Sequence, residues 1–240
     1  MPKIKFGNFK KFSSQSEESY KTLRTNIGFS GNDIRVISLT SCLPNEGKSQ
    51  VSFNLAYSMS QTGKKVILID ADMRKSVIVG RYKIDSIEYG LTHYLSGQKK
   101  LNEVIYQTEI ENMDLIYSGV HAPNPTELLE TENFRYLISE LREQYDFVII
   151  DTPPLGSVID AAIVAKEVDG VVLVIANNEI SHRFAQGTVD QLKKTGCKIL
   201  GAVLNKVEIH KGGGYYGYGK YYGSYYGKYY GKYYGKYSSD

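Results

Sequence analysis

Unbroken apolar runs recur along the chain: IRVISLT (34–40), KVILID (65–70), FVIID (147–151), GVVLVIA (170–176) and KILGAVLN (198–205). A strand with one wet face alternates apolar and polar residues. These runs do not alternate, so each is expected to be a strand buried on both faces. MDLIYSG (113–119) reads as a further strand. Helical segments separate them. In 17–29, Tyr20, Leu23 and Ile27 recur at helical spacing. Residues 47–63 end on a glycine stop, 125–145 form a long amphipathic helix, and 181–196 supply another. Strands alternating with helices imply a three-layer α/β fold, a mostly parallel central sheet flanked by helices.

The chain has 240 residues, enough for one domain of about 200 residues with tails. No run approaches the roughly 18–20 apolar residues of a membrane span. The basic start MPKIKFGNFKKF lacks an apolar signal region, and residues 1–16 read as a polar, mobile arm. Cys42 and Cys197 show no metal-ligand spacing, which fits a reducing cytoplasm. The net charge of +3 resides in residues 212–240, so residues 1–211 are neutral overall and the core is no basic nucleic-acid binder.

The first apolar run leads into TSCLPNEGKS (40–49) and then a helix. Gly47-Lys48-Ser49 is the end of a P-loop. Glycine lets backbone approach phosphates, lysine reaches the β- and γ-phosphates, and serine can bind Mg²⁺. The helix start favours an anion. The pattern's first glycine falls at Cys42, so one end of the generic motif is missing. Asp70 and Asp72 close the second run, in ILIDADMR, and Asp151 closes another, in VIIDTPP. In a parallel sheet these carboxylates share the C-terminal edge with the P-loop, where such folds bind ligands. A hydroxyl with carboxylates around triphosphate oxygens suits Mg²⁺.

These motifs resemble those of the bacterial tyrosine kinases of capsule and exopolysaccharide operons, of the Gram-positive cytoplasmic type. SCLPNEGKS resembles their Walker A, ILIDADMR their second Walker motif and FVIIDTPP their Walker B. The resemblance runs from about Glu17 to Asn205, includes SGVHAPNPTELLE (118–130), and is completed by a C-terminal tyrosine cluster. It implies a P-loop NTPase fold and an ATP-dependent protein-tyrosine kinase. Lys48, Asp70, Asp72 and Asp151 would be catalytic. Pro44, Asn45, Glu46, Gly47, Lys48, Ser49, Gln50, Arg74 and Asn205 would hold ATP, with Asn205 at the adenine edge. Ser49, Asp70, Asp72 and Asp151 would hold Mg²⁺, and Asp72 would orient or deprotonate the acceptor phenol. Asn45 stands where the family often has glycine, and it tolerates a left-handed backbone. Gln50 stands where threonine is common.

The family's E-x₂-R-x₂-R motif for ring assembly is matched by Glu18, Lys21 and Arg24, with lysine replacing the middle arginine's planar fork. Implied partners are copies of the chain, the cytoplasmic tail of a transmembrane polysaccharide co-polymerase or modulator, and a cognate tyrosine phosphatase. The modulator would place the chain at the inner face of the membrane.

Of 21 tyrosines, twelve lie at the end: Tyr215, Tyr216, Tyr218, Tyr221, Tyr222, Tyr225, Tyr226, Tyr229, Tyr230, Tyr233, Tyr234 and Tyr237. Residues 212–240 repeat Tyr-Tyr-Gly-Lys with almost nothing aliphatic to bury, so disorder is expected. The resulting organisation is an arm at 1–16, a kinase domain at 17–211 and an autophosphorylation tail at 212–240. Such a tail has a reach of roughly 30 Å and holds phenols near the site at high effective concentration. Each phosphate adds about −1.5 to −2 charge, so two reverse the tail's +3 and phosphorylation should loosen a ring. Rival readings are a partitioning or site-determining ATPase of the ParA/MinD kind, against which Leu43 replaces the signature lysine, and a nucleotide-gated scaffold. LNKVE (204–208) departs from the GTPase N-K-x-D pattern at Glu208.

Overall fold

The computed structural model describes residues 1–85 and 87–207. The expected tail, its twelve tyrosines and the boundary at 211 lie outside the described residues. In chain order the elements are α1 (Ser14–Phe29), β1 (Val36–Ser41), α2 (Lys48–Ser60), β2 (Val66–Asp70), α3 (Ile78–Tyr82), α4 (Leu91–Leu95), α5 (Leu101–Val104), β3 (Tyr106–Gln107), β4 (Met113–Ile116), α6 (Pro125–Leu129), α7 (Glu132–Gln144), β5 (Phe147–Asp151), α8 (Asp160–Val164), β6 (Gly170–Ala176), α9 (His182–Lys193) and β7 (Ile199–Asn205).

The strands form one sheet in the order β3-β4-β2-β5-β1-β6-β7. All neighbours run parallel except β3, which is antiparallel to β4. One sheet face packs Ile37, Leu39, Leu68 and Leu115 on Phe53, Leu55 and Met59 of α2. The other packs Ile67, Ile69, Val148 and Ile150 on Phe134, Leu137 and Leu141 of α7. Each such side chain contributes about 1.5–3 kcal/mol on burial. β1 and β2 are buried throughout, as their unbroken apolar runs require. β7 departs from that expectation. It is an edge strand, and its Leu204 is 58% exposed. Among the described residues no helix is long and apolar enough to cross a membrane.

Two expectations change. Residues 1–13 are not a detached arm. Ile4 and Phe6 are buried, and the ring of Phe6 meets Phe53 edge-on at 5.2 Å. Phe9 packs on Tyr57, and Phe12 stacks on Tyr20 at 5.0 Å. The backbone is also tied: Ile4 N donates to Gln107 O and Gly7 N to Lys83 O, at 2.9 and 3.2 Å. Burial of Ile4 and Phe6, with partial burial of Phe9 and Phe12, offsets the entropy cost of ordering so short a segment. This strap and α1 cover the outer face of α2, which explains why Tyr57 and Ser58 there are buried. The long helix expected at 125–145 is two helices. Thr131 adopts an extended conformation, φ −70° and ψ 155°, and starts α7 as a new helix.

Candidate active site

β1 carries the chain into the Walker A loop, and β2 and β5 end beside it with Asp70 and Asp151 in register. Two loop residues are left-handed, Asn45 at φ 68° and Gly47 at φ 91°. Asparagine tolerates that region, and glycine occupies it without strain. Gly47 also has no room: a Cβ there would lie 2.2 Å from Asn205 Nδ2. Where the generic motif has a glycine at 42, the space comes from across the loop. Gly156, on the segment after β5, lies so close that a Cβ on it would be 2.1 Å from the Cys42 carbonyl oxygen.

α2 begins at Lys48, whose ammonium is buried among acids. Its Nζ lies 3.1 Å from Asp72 Oδ2 and 3.7 Å from Asp151 Oδ2, and donates to Ser49 Oγ at 3.2 Å. Burial opposes its charge, but Asp151 and Asp72 more than compensate and hold its pKa above the usual lysine value. Burial raises Asp151, against the pull of Lys48. Burial and the nearby Asp151 push Asp70 up to about 7. Both Asp70 oxygens serve the following loop: Oδ1 accepts from Asp72 N at 3.2 Å, and Oδ2 accepts from Ser76 Oγ. Asp72 Oδ1 accepts from Lys75 N at 2.9 Å. The loop after β2 is therefore wound around its own carboxylates, with Asp72 turned to Lys48.

The residues present suit a hard cation beside a polyphosphate. Asp151 Oδ2 is buried without a hydrogen-bond partner, and the Ser49 hydroxyl lies in the same pocket. Among the described residues no group of three or more acidic, thiol or imidazole side chains forms a ready cage. Mg²⁺ is commonly held by one or two carboxylates together with nucleotide oxygens and water.

Several expected site residues have other partners. The Glu46 carboxylate is fully buried and accepts from Leu43 N at 2.7 Å and Ala176 N at 3.1 Å. It ties the Walker A loop to the end of β6 rather than facing solvent, where a nucleotide would arrive. Asn205 Nδ2 donates to Glu46 O at 2.8 Å, so this amide nitrogen braces the loop and is not free for an adenine edge. Arg74 is neither a free charge nor aimed at phosphate. Its Nε and Nη2 grip the buried Asp160 at 2.8 and 3.0 Å, and Nη2 also donates to Thr126 Oγ1. Gln50 is exposed and accepts from Arg81 at 3.1 Å. Pro44 is exposed at the loop's tip. In the expected self-association set, Lys21 pairs with Glu17 at 2.9 Å and approaches Glu18 at 4.0 Å. Arg24 instead donates to Ser58 O at 2.6 Å, joining α1 to α2 within the chain.

Sequence reasoning missed Ser52, Ser76 and Asp160. Ser52 Oγ is 3.0 Å from both Asp151 Oδ1 and Lys48 O. Its position one turn beyond Lys48 was a readable signal.

Residues 34–208 match the family described as AAA domain. The chain is 45% identical over 210 residues to "Tyrosine-protein kinase CpsD" of Streptococcus pneumoniae serotype 4 (strain ATCC BAA-334 / TIGR4), covering 87% of this chain and 92% of that protein. The crystal structure of the chimerical protein CapA2B2 superposes with a TM-score of 0.79 at 31% identity, covering 87% of this chain and 95% of that one. The septum site-determining protein MinD from Pyrococcus horikoshii OT3, complexed with Mg-ADP, gives 0.63 at 26% identity, covering 74% of this chain and 72% of that one. The P-loop fold is thus shared with ATPases. The greater likeness to CpsD, over most of both chains, decides the matter: the chain belongs to the bacterial tyrosine-protein kinases of the CpsD family.

Proposed function

We propose that this tyrosine kinase uses Mg-ATP to phosphorylate the tyrosines of its own residues 215–237, and so regulates capsule or exopolysaccharide synthesis. The observation that supports this most is the Lys48 ammonium, buried 3.1 Å from Asp72 beside Asp151 and Ser49. Leaving those carboxylates, Lys48 would bind the β- and γ-phosphates. Ser49 and Asp151 would hold Mg²⁺, with Asp72 near it and Asp70 shaping the loop. Bound Mg-ATP supplies the phosphoryl group and neutralises charge between the oxygens. Asp72 would then face the incoming phenol, orient it and take up its proton. Phosphoryl transfer depends mainly on positioning and charge, so a weak base suffices.

CapA2B2 is a chimerical protein, and the present chain resembles it over 95% of the CapA2B2 chain. That supports a working partnership with the cytoplasmic tail of a membrane modulator, which would hold the kinase at the inner membrane face. Copies of the chain in a ring and a phosphatase complete the proposed cycle. With Arg24 committed to α2, ring contacts through α1 would rest on Glu18 and Lys21.

The MinD likeness favours one second reading, an ATPase switch. Phosphosite mapping after incubation with Mg-ATP separates the two. The kinase reading expects phosphate on tyrosines 215–237 in the wild type and none in Lys48→Met. Free phosphate without labelled tyrosine would establish the switch instead.

A further inference from the structure

The N-terminal strap carries a charge feature that catalysis does not use. Lys3 and Lys5 are exposed and alternate with the buried Ile4 and Phe6. The strap then runs beside the end of α3: Phe6 pairs with Ile84, Gly7 N donates to Lys83 O, and Asn8 Nδ2 donates to Arg81 O at 3.2 Å. Exposed Lys10 and Lys11 follow, between the docked rings of Phe9 and Phe12. Lys3, Lys5, Lys10, Lys11, Arg81 and Lys83 thus line one strip. Among the described residues none of the six makes an ion pair. The nearby Glu109 accepts from Phe6 N at 2.9 Å, and Asp85 follows Ile84. Residues 1–211 are neutral overall, so this strip is a local excess rather than a share of a basic protein.

We infer that the strip is a docking surface for the anionic headgroups of a lipid bilayer. The strap's apolar side chains point into the core, which fixes the lysines' backbone and leaves six cations against the two acids Asp85 and Glu109 to face a partner. Its rings Phe9 and Phe12 are packed on Tyr57 and Tyr20, and the strip's helical part, α3, is only five residues long. The strip thus offers neither a stacking platform for bases nor a helix to fill a groove, the devices of nucleic-acid recognition. An acidic bilayer needs neither: it attracts surface cations over about a Debye length, without sequence or shape. The kinase thereby gains a membrane contact of its own, separate from any modulator, with Arg81 at the end of the strip that reaches Gln50 beside the P-loop.

Full-length protein is sedimented with phosphatidylcholine vesicles, with and without phosphatidylglycerol, at low salt. The strap variant carries Lys3→Gln, Lys5→Gln, Lys10→Gln and Lys11→Gln together. A control carries Lys220→Gln, Lys228→Gln, Lys232→Gln and Lys236→Gln. A lysine in contact is worth about fivefold in partitioning, so the strap variant should bind acidic vesicles at least about tenfold more weakly. Its thermal unfolding and its tyrosine phosphorylation in free solution should match the wild type. Three results would overturn the inference: binding that ignores phosphatidylglycerol, a loss confined to the tail control, or strap lysines that govern binding to duplex DNA and leave vesicle binding unchanged.

Discussion

Replacing Glu46 tests whether the Walker A loop is held from behind. Its carboxylate is 0% exposed and accepts two backbone N–H groups, from Leu43 within the loop and Ala176 at the end of β6. Glu46→Ala strands both donors inside the protein. Each unsatisfied buried donor costs about 1–3 kcal/mol, so the change should cost about 2–6 kcal/mol before any cavity is counted. That is a large part of the about 5–15 kcal/mol that stabilises an ordinary domain. Glu46→Gln keeps one acceptor and sets its NH₂ against the other donor, so about half the loss is expected. Urea unfolding of nucleotide-free protein in EDTA gives the stabilities, and titration with a fluorescent ATP analogue gives the affinities. A strut predicts that both fall together, in the order Ala below Gln below wild type. If Glu46→Ala stayed within about 0.5 kcal/mol of wild type, the strut argument would fail. It would equally fail if affinity dropped while stability held, because the carboxylate would then be touching nucleotide.

Two further perturbations address ion pairs, one beside the site and one at the opposite edge of the sheet, where β1 and β6 begin. Arg74→Ala abandons the fully buried Asp160 and should cost about 2–3 kcal/mol, after discounting for the arginine's 38% exposure. Arg74→Ala with Asp160→Asn should regain part of that loss in a double-mutant cycle, and strictly additive effects would refute the pairing. Burial opposes a low pKa at Asp169, but Arg142 and the N–H groups of Val36 and Arg35 outweigh it and hold the carboxyl below its usual value. As pH falls, the unfolded chain therefore takes up this proton first. The stabilisation is complete above the ordinary aspartate pKa of about 3.9 and is lost as pH drops through the lower folded value. Asp169→Asn should cost about 2 kcal/mol at neutral pH, a gap that closes in acid. Urea unfolding across pH checks it, and a constant gap would contradict the linkage.

The strands and the P-loop were legible because each rests on a local signal. Unbroken runs such as 66–70 and 147–151 suit only strands wrapped on both sides, and Gly47-Lys48-Ser49 marks the turn into α2. The acids at 70, 72 and 151 were legible as a group because parallel topology places strand ends together. What escaped depends on partners distant in sequence. Arg74 reads as a free charge until Asp160 is brought to it, 86 positions away. Glu46 reads as a loop residue until β6 arrives with Ala176. The strap was concealed by its lysines, although the alternation of Lys3, Ile4, Lys5 and Phe6 already had the period of a half-buried strand. Thr131, just before α7, was a readable helix start within an otherwise continuous amphipathic pattern.

The two margins of the sheet are unequal. At one, β3 is only two residues long, and the strap binds along it: Ile4 N donates to Gln107 O, and Gln107 N donates to Pro2 O, both at 2.9 Å. At the other, β7 runs seven residues and, among the described residues, pairs only with β6. Growth of a fibril by strand addition needs an open rim on both sides of every subunit. Here a chain that joined the β7 rim would present no matching rim behind it, so such an encounter ends at a pair and does not propagate.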